Sequence, residues 1–179
     1  MIIGVAFQKK VVSKRIWDKV KTWGVQFWTK SDYFHTEFIT EDFWVSADTT
    51  GIVKRELRPL GEKYSYFFMD VDITEKQLDL LSEFITSQIG TDYDWTGIWL
   101  SQFVGIGANR EDKWFCSELV VKLLQICLVK EAIYLQPHMV DPGQLFKILT
   151  KKVENGEAVY LGAKEAGEYL KKMHFEKQA

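Results

Sequence analysis

"YFHTEFITEDFWVSAD", residues 33–48, alternates in polarity on either side of a polar midpoint. With a turn centred on Glu41-Asp42, an extended chain sends Phe38, Phe43, Val45 and Ala47 to one face. The other face receives His35, Glu37, Ile39, Trp44, Ser46 and Asp48. The expected antiparallel register sets Ile39 opposite Trp44, Glu37 opposite Ser46 and His35 opposite Asp48. One residue more in the turn would exchange the faces of the second strand. Around this hairpin, "MIIGVAF" (1–7), "GIVKREL" (51–57) and "YSYFFMDVDI" (64–73) read as further strands. "TEKQLDLLSEFITSQIG" (74–90) reads as a helix: Thr74 and Gln77 fit a capping box, Leu78, Leu81, Ile85 and Ile89 form a stripe, and Gly90 ends it. "SKRIWDKVKTW" (13–23) has helical spacing at Ile16, Trp17, Val20 and Trp23, with Ser13 as its cap. "DPGQLFKILTK" (141–151) opens a helix with Pro142 in its first turn. "EAVYLG" (157–162) reads as a last strand and residues 163–173 as a tail helix. With strands clustered early and helices around them, the class is α+β.

The 179 residues suit one domain, 1–179, with the tail helix inside 163–179; no repeat or low-complexity linker divides them. Apolar residues at 46% and aromatics at 15% exclude a disordered chain. A net charge of −2 gives no global attraction to nucleic acid. The charge is uneven, however: residues 9–30 carry seven basic residues against Asp18 alone, interleaved with Trp17, Trp23 and Trp28. Such a segment is either the solvated face of an amphipathic helix or a peripheral contact with a membrane surface, an anionic substrate or a nucleic acid. "MIIGVAF" lacks the charged start of a signal peptide, and no apolar run reaches about 18 residues, so a cytoplasmic protein without a spanning helix is expected.

"DKWFCSELVVKLLQICLV" (112–129) holds both cysteines. A helix starting near Phe115 puts Cys116, Leu119, Val120, Leu123, Leu124 and Cys127 on one inward face. Cys127 lies deep in the apolar run and reads as core. Cys116 falls in the first turn, where unpaired N–H groups and the positive end of the helix favour a thiolate. The competing reading is a small core residue, because free cysteine is among the most buried types. A thiolate nucleophile needs a base, usually histidine. His174 lies in a charged tail and His138 in a proline-containing connection, which leaves His35 on the first hairpin strand. The cysteines stand eleven apart with no histidine at ligand spacing, so neither a metal nor another cofactor is expected. "VGIGANRED" lacks the pattern of a phosphate loop.

"YFHTEFI" and "WFCSELVVKLL", with "GTDYDW" between them and "VDPGQL" after, resemble the circularly permuted papain-like cysteine hydrolases. These are relatives of the NlpC-type peptidases and of the lecithin:retinol acyltransferase family, with the YiiX-like proteins nearest in pattern. The resemblance covers roughly residues 1–150, and "CSELV" is its most specific piece. It implies a permuted papain-like fold, a small, mainly antiparallel sheet or half-barrel packed against helices, with Cys116 as nucleophile and His35 as base. YiiX-like members carry an acid on the strand after the histidine, where this chain reads "WVSAD" and has Ser46. Serine can orient an imidazole but brings no charge, so Asp48 and Glu37, on the same face, are further candidates. Tyr93 and Trp95 match an aromatic segment that lines the site in relatives, and with Ser117 they are candidates for substrate and oxyanion contact. The implied activity is a peptidase- or amidase-type cysteine hydrolase working through an acyl-thioester on a peptide, murein or lipid-like substrate. The alternatives are a lipid-directed acyltransferase or thioesterase, a non-catalytic binding module on the same fold, and a plain interaction protein. Oligomeric state stays open.

Overall fold

The computed structural model describes residues 1–9, 32–48, 50–56, 61–92 and 114–176, with side chains through residue 172. The alternating segments become β1 (Ile2–Lys9), β2 (Tyr33–Ile39), β3 (Phe43–Asp48), β4 (Gly51–Glu56), β5 (Tyr64–Asp70) and β6 (Val159–Leu161). They form one open sheet in the order β4-β3-β2-β1-β5-β6, antiparallel throughout. β1 lies at the centre with both faces covered, so it reads as a continuous apolar run and not as an alternation. Gly4 belongs to that run because the Phe68 ring lies where its Cβ would stand.

The helices are α1 (Glu75–Gln88), α2 (Cys116–Ile126), the short α3 (Lys130–Ile133), α4 (Pro142–Glu154) and α5 (Ala163–Glu176). One sheet face supplies Val5, Phe7, Phe38, Val45, Ala47 and Phe67 to the main core. Leu119, Val120, Leu123 and Leu124 of α2 fill it, with Leu145 and Leu149 of α4 and Leu81 and Ile85 of α1. The opposite face, with Ala6, Ile39, Trp44, Tyr66 and Phe68, is covered by Ala166 and Leu170 of α5. The hairpin therefore sorts Phe38, Val45 and Ala47 from Ile39 and Trp44, as its alternation predicts. The whole is α+β, with helices on both sides of an antiparallel sheet.

Caps form where the residue types demand them. Thr74 and Gln77 close a capping box on α1; Asp141 accepts from Gly143 and Gln144 at the start of α4, with Pro142 in the first turn. One expectation is corrected. Of the α1 stripe only Leu81 and Ile85 are buried, while Leu78 is 47% and Ile89 48% exposed. This helix packs at the rim, against α2 and the Trp114 ring beside Phe84, and a rim helix buries a narrow stripe. The expected helix at 13–23, the basic segment beyond Lys9, and Tyr93 and Trp95 lie outside the described residues.

Candidate active site

The β2–β3 ladder pairs Ile39 with Trp44, Phe38 with Val45 and Glu37 with Ser46, and there it stops. Yet β2 begins at Tyr33 and β3 continues to Asp48. Beyond Glu37 and Ser46 the two strands are no longer paired. The α2 helix, packed on both, holds Cys116 as its first residue, buried with only 3% exposure.

Local chemistry fixes that helix start. Phe115 is the N-cap but has no oxygen to cap with; Glu118, three residues on, reaches back toward the Phe115 N–H at 3.5 Å. Only half of a capping box is thus filled, and the first-turn N–H groups receive no side-chain cap. The buried Ser117 hydroxyl donates to the Val140 carbonyl at 2.7 Å and ties α2 to the start of α4. Trp114 Nε1 donates to Gln88 Oε1 at 2.7 Å and ties the preceding residue to the end of α1.

At the open end of the ladder the Cys116 thiol and the His35 ring lie close enough to shift each other's ionisation, with Thr36 beside them. On its other side, His35 Nε2 lies 3.1 Å from Ser46 Oγ and 3.4 Å from Glu37 Oε1. The His35 side chain is 14% exposed and that of Glu37 4%. Burial acts to push the imidazole down, but the hydrogen bonds and negative charge of Cys116 and Glu37 prevail and raise it to about 10. Burial likewise acts to push the Cys116 thiol up; the bond and charge of His35, then the Thr36 N–H and hydroxyl, bring it below the ordinary thiol value. Cys127 is the contrast. It lies in the main core with no such partners, and burial raises it to about 12.

Of the residues singled out in the sequence, Cys116, His35, Ser46 and Glu37 come together. Asp48 does not join them. Its carboxylate accepts from the Thr50 N–H and from Arg55 Nη2, both at 2.8 Å, and closes the β3–β4 turn. Partial burial opposes its ionisation, but those bonds and the Arg55 charge hold it below the usual carboxylate range. The expected pairing of Asp48 with His35 is lost because the ladder ends before it. The Ser117 hydroxyl donates to the Val140 carbonyl. His138 sits in a 3-10 turn, Pro137–Met139, before α4, and the His174 side chain is outside the described residues. Thr36 was not anticipated. Its signal was a hydroxyl at a core-facing position between Phe34 and Phe38.

No family model matches the chain, and no curated protein does. Among solved structures it is similar to the metalloprotein YiiX of Escherichia coli O157:H7, with 23% identity and a TM-score of 0.45. The match covers 70% of this chain and 64% of that one, so the chain spans under two thirds of that protein's length. Among the described residues, no three His, Cys, Asp or Glu side chains are grouped to hold a metal ion. No described helix is long and apolar enough to cross a membrane.

Proposed function

We propose that this protein is a cysteine hydrolase of peptidase or amidase type, acting on an amide, ester or thioester through an acyl-thioester on Cys116. The observation that carries the reading is the buried Cys116 thiol at the head of α2 beside a His35 ring whose Nε2 lies 3.4 Å from Glu37, an arrangement that raises the imidazole and lowers the thiol. Nε2 is occupied by Ser46 and Glu37, which leaves Nδ1 to serve the thiol. In the resting site the thiol proton sits on His35, and Nε2–H donates to Ser46 Oγ. Glu37 supplies the charge that Ser46 lacks.

The sulfur attacks the carbonyl carbon and the carbonyl oxygen takes up the electron pair. First-turn N–H groups of α2, free of a side-chain cap, receive that oxyanion. The tetrahedral species collapses, the bond to the leaving nitrogen, oxygen or sulfur breaks, and His35 delivers its proton there. Water, deprotonated by His35, then cleaves the thioester and frees the carboxylic acid and Cys116.

The test is labelling with iodoacetamide at pH 6, followed by peptide mapping. Cys116 should alkylate and Cys127 should not, because an ordinary thiol is almost wholly protonated there. His35→Ala should abolish this reactivity, while His138→Ala and His174→Ala leave it within about three-fold. Incubation with an activated ester should load an acyl group on Cys116, visible by intact mass. An unreactive Cys116 would instead favour the binding module, in which Ser46 marks a site without turnover.

A further inference from the structure

We propose that Tyr33 is a positioning residue for the base: its ring, stacked on Phe146 of α4, pins a β-bulge in β2 and so keeps the His35 imidazole aimed at Cys116. The proposal rests on the reading of Cys116 and His35 as the reacting pair.

Against β1, Thr36 is the partner of Phe7, His35 of Gln8 and Tyr33 of Lys9. The register slips between Gln8 and Lys9, which leaves Phe34 as one residue too many: a β-bulge in β2 beside His35. A bulge disrupts the ladder locally and bends the strand. On the other edge of β2 the ladder to β3 has already ended, at Glu37 and Ser46. His35 therefore stands where neither neighbouring strand holds β2 in a regular ladder. The slip also turns Tyr33 over. In unbroken alternation it would share a face with His35. As the partner of Lys9 it shares the face of Phe7 and packs on the main core. There its ring stacks on Phe146, with centroids 4.1 Å apart and planes within 20°, and meets Phe7 edge-on at 5.7 Å. Phe146 is itself held edge-on by Phe7 at 5.3 Å and by Phe67 at 5.1 Å. The helix that carries Phe146 begins at Pro142, and the Val140 carbonyl just before it accepts from the Ser117 hydroxyl, next to Cys116. Through Tyr33, Phe146 and Ser117, α4 thus sets the strand of the base and the helix of the thiol in one frame.

The signature is a change in the pH profile of Cys116 alkylation, separate from any loss of stability. Tyr33→Leu removes the stack, and a His35 ring out of place supports the thiolate less well. The acid limb should move up by about one pH unit. Each thiolate is then more nucleophilic, so the rate at pH 6 should fall about three-fold. Phe146→Leu should do the same, and the double variant should shift no further than either single one, because both act through one contact. Tyr33→Phe, which keeps the ring, should give the wild-type profile. Tyr33→Met, which fills more of the space, takes the place of the leucine form if that does not unfold cooperatively. Tyr169→Leu is the control. It removes a ring contact at 4.9 Å with Phe68 on the opposite sheet face, and should lower the urea midpoint while leaving the profile in place. A merely structural Tyr33 would behave as Tyr169 does. A wild-type profile for either leucine variant overturns the proposal and leaves Cys116 as nucleophile untouched. So does a Tyr33→Phe profile shifted as far as that of Tyr33→Leu. A wild-type Cys116 inert at pH 6 overturns the reading of the pair and this proposal together.

Discussion

At the scale of single residues, the site depends on where one imidazole finds its negative charge. Ser46 shares a hydrogen bond with Nε2 but cannot balance an imidazolium; Glu37, its cross-strand partner, can. At 3.4 Å and almost wholly buried, the carboxylate is weakly screened. Glu37→Gln should therefore raise the apparent Cys116 pKa by about one unit; low pH then holds about ten-fold less thiolate, each about three-fold more nucleophilic, and alkylation there falls about three-fold. Ser46→Ala should give a smaller rise, since it removes orientation and leaves the charge. Asp48→Asn should leave the profile in place, because that carboxylate serves Thr50 and Arg55. The three alkylation profiles between pH 4 and 9 check the ranking. A shift with Asp48→Asn as large as that with Glu37→Gln would contradict it.

At the scale of elements, helix placement decides what an apolar residue is worth. Leu78 and Leu81 of α1 differ by one turn in sequence and by nearly full burial in the fold, at 47% and 1% exposure. Leu81→Ala should cost about 2–5 kcal/mol and lower the thermal midpoint by several degrees. Leu78→Ala should stay within about 0.5 kcal/mol of wild type. Thermal unfolding followed by circular dichroism checks the pair, and equal losses would mean that α1 buries the broad stripe after all. The end of this helix is held by Gly51, whose φ of 102° and whose closeness to the Thr91 carbonyl leave no room for a Cβ. There the Gly90 N–H donates to the Ile52 carbonyl and the Ile52 N–H to that of Thr91. That exchange straps α1 to β4, the strand that follows the active-site strand β3.

For the whole molecule, the cysteine–histidine pair predicts how stability varies with pH. His35, raised from 6.5 to about 10 in the fold, contributes stability that is complete below 6.5 and lost as pH rises through 10. Cys116, lowered from 9.0, contributes stability that is complete above 9.0 and lost as pH falls through its folded value. Between 6.5 and 9.0 the two slopes cancel, because folded and unfolded chains hold one proton on the pair, on the ring in one and on the sulfur in the other. The pair's contribution should be flat across that window and fall on both sides. Urea unfolding of wild type and of a Cys116→Ala/His35→Asn variant from pH 5 to 10 measures it as a difference. A difference that climbs or falls steadily from 6.5 to 9 would mean that the folded pair does not hold one proton across that window.

Much of the molecule follows from local chemistry alone. Period-two alternation decided the hairpin faces and the pairing of Glu37 with Ser46, because a strand has only two sides. Capping residues decided the start of α1 and of α4, because orphan N–H groups bind the nearest side-chain oxygen. The inward face of α2, with Cys116 at its head, follows from the 3.6-residue period. Three things needed the tertiary structure. The ladder between β2 and β3 stops early, which removes Asp48 from His35; where paired strands part depends on what packs against them, not on their alternation. The exposed half of the α1 stripe reflects which neighbours reach a helix at the rim. The Ser117 hydroxyl, finally, acquires its partner only when the Val140 carbonyl, 23 positions away, is brought against it, and no local rule encodes a contact made across that much chain.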